Sequence, residues 1–148
     1  MLIERRTMNI NEKVTRLKER GVLLTIQRHA VLEFLEDNNL HPTVEDIYQS
    51  LKVTYPAISR ATVYNTLELF KQHGVVQEIT IERDKAHYDY RIEPHYHFLC
   101  RRCGNVFDVG MNKYLFEREA LVNGHKVEEM RFYIIGICFT CLREGEDA

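Results

Sequence analysis

The first half of the chain spaces its apolar residues with the period of a helix. Val14 and Leu17 lead to Gly21, a residue suited to the left-handed step that ends a helix. Thr25 is placed to cap a second helix carrying Ala30, Val31, Phe34 and Leu35, which Asn38-Asn39 ends. His41-Pro42 predicts a turn, because the residue before a proline is pushed out of the helical region. Thr43 opens a third helix with Ile47, Tyr48 and Leu51 on its apolar side, broken at Pro56. Ser59 caps a fourth over residues 60–73, which turns Val63, Leu67 and Phe70 to the core and is stopped by Gly74. Arg60, Tyr64, Asn65, Glu68 and Lys71 fall off that stripe, and Tyr64 is open to a core place or an outward one.

After Gly74 the period drops to two. Residues 75–81 and 86–91, joined by the polar turn 82–85, predict a β-hairpin placed directly after a helix. Helices with a short turn before the last, followed by a hairpin, describe a winged helix-turn-helix, whose last helix enters a DNA major groove. Residues 91–94 read as a hinge. Beyond it the pattern is strand, turn, strand (105–109), helix (112–122), strand (126–135) and a second turn. The last strand is apolar on both faces, with Met130, Phe132 and Ile134 opposite Tyr133 and Ile135. Such a strand is a poor edge, and we expect it to pair with a second copy of the chain. The acidic segment 144–148 is expected to fray. The fold class is therefore α+β. A winged-helix domain spans residues 1–91 and a hinge 92–94. A small α/β dimerisation and metal-binding domain follows at 95–148.

Composition adds limits. The 148 residues are 45% hydrophobic and 28% charged, an ordinary balance for a globular chain. No apolar run reaches the roughly 20 residues that a membrane helix needs, and no signal-like segment opens the chain, so a cytoplasmic protein is expected. The net charge of −2 argues little for nucleic acid by itself. Basic residues are nevertheless concentrated near the N-terminus: Arg5, Arg6, Lys13, Arg16, Lys18, Arg20 and Arg28 are opposed in that stretch only by Glu12 and Glu19. Of these, Lys13 and Arg28 are candidate contacts to a DNA backbone.

All four cysteines fall in two CxxC pairs, Cys100/Cys103 and Cys138/Cys141. Four thiolates in two tight turns suit a tetrahedral structural zinc, and in a reducing compartment zinc is favoured over two disulfides. A second constellation is of harder donors. His95 and His97 share one face of a strand, as do His87 and Asp89 on the preceding strand; Asp108 lies on the strand after the first CxxC, and His41 in a turn. Such a mixed set suits Fe(II), Mn(II) or zinc rather than Cu(I). No HExxH, nucleophile elbow or phosphate-binding glycine loop points to an enzyme.

Together these residues resemble the ferric-uptake-regulator family of metal-dependent repressors. The resemblance rests on His41-Pro42-Thr43 with Asp46-Ile47-Tyr48, on the segment from Ser59 to Leu67, and on His95-Tyr96-His97 followed by Cys100 and Cys103. Asp108 and Asn65 stand where iron regulators of the family usually carry Glu and Arg, and the histidine motif lacks the extra ligands of the HHDH type. These features resemble the peroxide-sensing branch. The resemblance implies a homodimer on a palindromic double-stranded operator. It implies structural zinc at Cys100, Cys103, Cys138 and Cys141, and a regulatory Fe(II) or Mn(II) held by His41, Asp89, His95, His97 and Asp108. It further implies oxidation of His41 or His95 by peroxide when iron is bound, peroxide being the only small molecule expected to act on the protein. Contacts to DNA are expected from Arg60, Thr62, Tyr64, Asn65 and Lys71, besides Lys13 and Arg28. His87 departs from the branch's pattern, either as a bystander or as an alternative ligand. An iron- or zinc-responsive repressor without peroxide chemistry is the alternative function.

Overall fold

The computed structural model describes residues 7–38, 41–82, 84–93, 95–110, 121–126 and 132–146. The chain divides into two compact units, Met1–Glu93 and Pro94–Ala148.

The first unit is four helices and a short hairpin. Helix α1 (Ile10–Glu19) starts from a capping box in which Asn9 and Glu12 satisfy each other's backbone N–H groups. Thr25 caps α2 (Ile26–Asp37), and Thr43 with Asp46 forms a second capping box on α3 (Val44–Thr54). Ser59 caps α4 (Arg60–Gln72). All four starts follow from a short polar side chain accepting the backbone N–H three residues on. Each helix turns its apolar stripe inward. Leu17, Val31, Leu35, Ile47, Val63, Leu67 and Phe70 meet in one fully buried core, with Tyr88 among them.

The hairpin is shorter than its alternating pattern predicts. Strand β1 (Gln77–Ile79) pairs antiparallel with β2 (His87–Asp89), three residues each. Val75 and Val76 are withdrawn from the strand because both are buried in the helical core, where the Val75 N–H caps the Phe70 carbonyl at the end of α4. On its other side β2 reaches the turn before α3: Tyr88 N–H donates to the Pro42 carbonyl at 2.9 Å, and Thr43 bridges His87.

In the second unit β3 (Tyr96–Cys100) runs antiparallel to β4 (Val106–Val109) and parallel to β7 (Tyr133–Gly136), giving a three-stranded sheet in the order β4-β3-β7. A two-residue pair, β5 (Leu121–Val122) and β6 (His125–Lys126), lies outside that sheet. Helix α5 (Phe139–Glu146) closes the described chain. The expected helix 112–122 and strand 126–135 fall largely outside the described residues. Their described parts differ from expectation: Leu121 and Val122 are a strand, and Lys126 belongs to a different strand from Tyr133–Gly136. The acidic segment is also not frayed where it is described. Glu144 to Glu146 continue α5, with Arg102 Nη1 donating to the Cys141 carbonyl in its first turn at 2.8 Å.

Candidate metal centres

The first CxxC sits in the turn between β3 and β4. Cys100 ends β3, where its N–H meets the Asn105 carbonyl and its own carbonyl accepts from Gly104 N–H. Gly104, at φ +75°, takes the left-handed step that reverses the chain here. The second pair brackets the start of α5, where the Cys138 N–H points at Cys100 Sγ at 3.3 Å. The four sulfurs lie within 4.8 Å of one another, and Cys103 and Cys138 are 3.9 Å apart. Zn–S bonds of 2.3 Å in a tetrahedron place sulfurs about 3.8 Å apart, so the cage fits zinc. Burial works against the Cys100 thiolate, but the backbone N–H groups of Cys103, Cys138 and Arg102 outweigh it and hold the thiol down to about 6. Cys141 is pushed up to about 12 by burial and by its neighbouring sulfurs. The cage thus favours the thiolate at Cys100 and the thiol at Cys103 and Cys141, whose protons zinc must displace.

The harder donors form a pair in the first unit and a trio in the second. In the first, His41 occupies the left-handed region at φ +51°, immediately before Pro42. Its Nε2 lies 3.3 Å from Asp89 Oδ2 at the end of β2, and both side chains are buried. The other carboxylate oxygen of Asp89 accepts from the Arg91 N–H at 2.9 Å, which fixes its orientation. His87, two residues earlier, is also buried; its Nδ1 sits 2.6 Å from the His41 carbonyl.

In the second unit the β3–β4 register sets the trio. His97 pairs with Asp108 across the two strands. Asp108 Oδ1 lies 3.0 Å from His95 Nε2 and 3.5 Å from His97 Nε2. The imidazoles are buried and the carboxylate is one-third exposed. Donors bound to one ion at 2.0–2.2 Å and near right angles stand about 3 Å apart, so each group is spaced for a shared cation. Imidazole with carboxylate suits Fe(II) or Mn(II).

The residues expected to face DNA divide into three kinds. Tyr64 and Asn65 are exposed on α4, Tyr64 by 50%, so the tyrosine is not a core residue. Arg60, Thr62 and Arg28 are at the surface but engaged. Arg60 forms a two-pronged pair with Glu45 of α3 at 2.6 and 2.9 Å and lies 4.2 Å over the Tyr48 ring. Hydrogen bonds from Arg60 and then Gln49 hold the Glu45 carboxyl down to about 2. Thr62 shares the Ser59 cap, and Arg28 Nη1 donates to the Leu23 carbonyl. The lysines are committed elsewhere. Lys71 is paired with Glu78 at 2.6 Å and Glu68 at 3.0 Å, which raises its pKa. Lys13 is fully buried, donates to the carbonyls of Val75 and Tyr90, and sits 3.3 Å from the Tyr90 ring centre. An ammonium so enclosed is not available to a phosphate. Sequence spacing gives no sign of Glu45, which pairs with Arg60 from fifteen positions away, nor of Glu78 beside Lys71, whereas Glu68 stands at the i,i+3 spacing that brings two side chains together on α4.

The sequence pattern of the Ferric uptake regulator family matches residues 19–135. The peroxide operon regulator of Bacillus subtilis (strain 168) is 38% identical over 138 residues, 91% of this chain and 94% of that protein. Among solved structures, PerR from Streptococcus pyogenes, determined for its peroxide sensing and gene regulation, superposes with a TM-score of 0.53 at 26% identity, covering 95% of this chain and 98% of that one. The Helicobacter pylori ferric uptake regulator Fur, which has three functional metal binding sites, gives a TM-score of 0.73 over 93% of this chain and 97% of that one; at 18% identity it speaks for the fold. The zinc cage between two CxxC turns, the histidine–aspartate groups and the capped α4 thus occur in a sequence matched over most of its length, and the chain belongs to the ferric uptake regulator family.

Proposed function

We propose that the protein is a metal-dependent transcriptional repressor that binds a palindromic operator as a homodimer and is released from it by peroxide. The observation that carries this reading is the division of the harder donors. His41 and Asp89 supply two ligands from the first unit, and His95, His97 and Asp108 supply three from the second. Neither group fills the shell of Fe(II) or Mn(II). An ion that takes all five ties the two units together and sets the spacing of two α4 helices, which enter successive major grooves about 34–36 Å apart. Moving such an equilibrium from 1:99 to 99:1 requires about 5.5 kcal/mol of differential binding, within reach of five ligands. Exposed apolar side chains in the second unit, Ile135, Phe139 and Leu142, support self-association there.

Iron, when bound, supplies the reactivity toward peroxide. The chain's part is to hold His41 and His95 against it as the side chains that take up oxygen, so each event consumes a ligand and the protein does not turn over. Residues 95–97 and 108 carry the aspartate variant of the motif, and the B. subtilis relative bears the name of a peroxide regulator. In keeping with a cytoplasmic regulator, no helix among the described residues is long and apolar enough to cross a membrane.

Intact-mass and peptide mass analysis after peroxide treatment tests the chemistry. The Fe(II) form should gain one oxygen on the peptide holding His41 or His95 and lose operator binding, whereas the Mn(II) form should do neither. An unmodified Fe(II) form would leave an iron- or zinc-responsive repressor without peroxide chemistry.

On the operator, Asn65 is placed to pair with adenine N6 and N7, and Tyr64 to pack on a thymine methyl. Asn65→Ala should cost about 1–3 kcal/mol at one base pair and leave binding to unrelated DNA unchanged. A mobility-shift series over single-base operator variants reads this directly; equal loss on every sequence would remove Asn65 from base recognition.

A further inference from the structure

We propose that His87 is a positioning residue that holds His41 in its ligand conformation through the His41 backbone; this rests on the reading of His41 as a regulatory-metal ligand. A carbonyl oxygen only accepts, so the 2.6 Å contact between His87 Nδ1 and the His41 carbonyl requires the proton on Nδ1. His41 is a non-glycine residue at φ +51°, a conformation that persists only where its surroundings fix it. Three contacts from β2 do so. His87 donates to the His41 carbonyl, Tyr88 N–H donates to the Pro42 carbonyl at 2.9 Å, and Asp89 Oδ2 faces His41 Nε2 at 3.3 Å. The first is the one side chain-to-backbone bond of the three, and it acts on the ligand residue itself.

The other ring nitrogen works against stability. Among the described residues His87 Nε2 is buried without a hydrogen-bond partner, and the carboxylate oxygen Glu82 Oε1 lies 3.7 Å away. A buried nitrogen left unpaired works against folding. An apolar side chain of similar size would remove that penalty but take the Nδ1 donor from the His41 carbonyl; the two oppose each other in stability, while nothing offsets the loss in metal binding. Asparagine is the informative replacement. Its amide N–H lies close to where Nδ1 sits, and it deletes the Nε2 edge.

The test uses the full-length, zinc-loaded protein and Mn(II) alone as the probe. H87L should weaken Mn(II) binding about 10–100-fold, the usual effect of losing a partner that orients a ligand. Its thermal transition without Mn(II) should stay close to that of the parent, since the lost Nδ1 bond and the removed unpaired Nε2 oppose each other. H87N should bind Mn(II) like the parent. In the parent without Mn(II), nitrogen-detected NMR should find the His87 proton on Nδ1. Wild-type affinity in H87L, equal weakening in H87N and H87L, or a proton on Nε2 would overturn the assignment. If H87L does not fold, H87N and the ring-proton measurement decide. H41A is the control for the underlying reading: undiminished Mn(II) binding there removes His41 from the site, whereas its loss beside a normal H87L refutes only the role of His87.

Discussion

Cys138→Ala will leave the second unit without a folded core. The argument begins with what is buried there. Among the described residues, the buried cluster of this unit is Cys100, Cys138 and Cys141, with Phe98, Phe107 and Ile137 packed around them. The metal cage and the hydrophobic core are therefore the same group of side chains. Structural zinc contributes about 10–16 kcal/mol of folding free energy in small domains, against net stabilities of about 5–15 kcal/mol for whole ones. Three ligands and an unpaired position cannot retain that contribution. The variant should carry no zinc by metal analysis and lose the NMR dispersion of residues 95–110 and 132–146. The first unit, whose core contains no cysteine, should still melt cooperatively. A zinc-free variant that keeps native second-unit signals would show that packing alone supports this unit.

Lys13→Ala will destabilise the first unit by about 2–4 kcal/mol near neutral pH, and by more in mild alkali. Truncation removes a buried stem worth about 0.8 kcal/mol per methylene. It also strips the Val75 and Tyr90 carbonyls of their donor, at about 1–3 kcal/mol for each group left unsatisfied. Relief of a desolvated charge opposes this: burial lowers the Lys13 pKa from 10.5 to about 8, although Glu93, Asp89 and Glu36 pull the other way. The folded-state value lies below the unfolded one, so between about pH 8 and 10.5 the unfolded chain binds more protons and stability rises with pH. The parent gains this increment and the variant does not, so their difference should widen by about 2 kcal/mol between about pH 7 and 9.5. Tyr88, pushed up to about 12 chiefly by burial, loses stability above pH 10, so denaturation curves belong below that point. A difference that shrinks with pH would mean that Lys13 is not held as a buried cation.

These two residue types were not equally legible. The cysteines announce themselves because metal chemistry fixes both residue type and spacing, and the helices because caps and apolar periodicity are local. Ser59, Thr43 and Thr25 are caps where the pattern put them. Lys13 misled because its surroundings are set by partners 62 and 77 positions away; on α1 alone it reads as one more basic residue. The alternating pattern overstates the hairpin for a related reason. Val75 and Val76 keep strand-like alternation but are held by the helical core. Tyr64 was ambiguous because it sits at the margin of the α4 stripe, and only packing showed it to be exposed. His87 could be flagged as a departure, but the bond it makes depends on how β2 meets the turn before α3.

Arg60 presents its charge already matched by Glu45. In the proposed complex, an arginine that swings to a DNA phosphate leaves that carboxylate to recruit an ion from solution. Such an exchange releases little net counterion, since one cation leaves the DNA as another condenses near Glu45. The salt dependence of operator binding would then undercount the arginines that touch the backbone, and Glu45→Gln would steepen it.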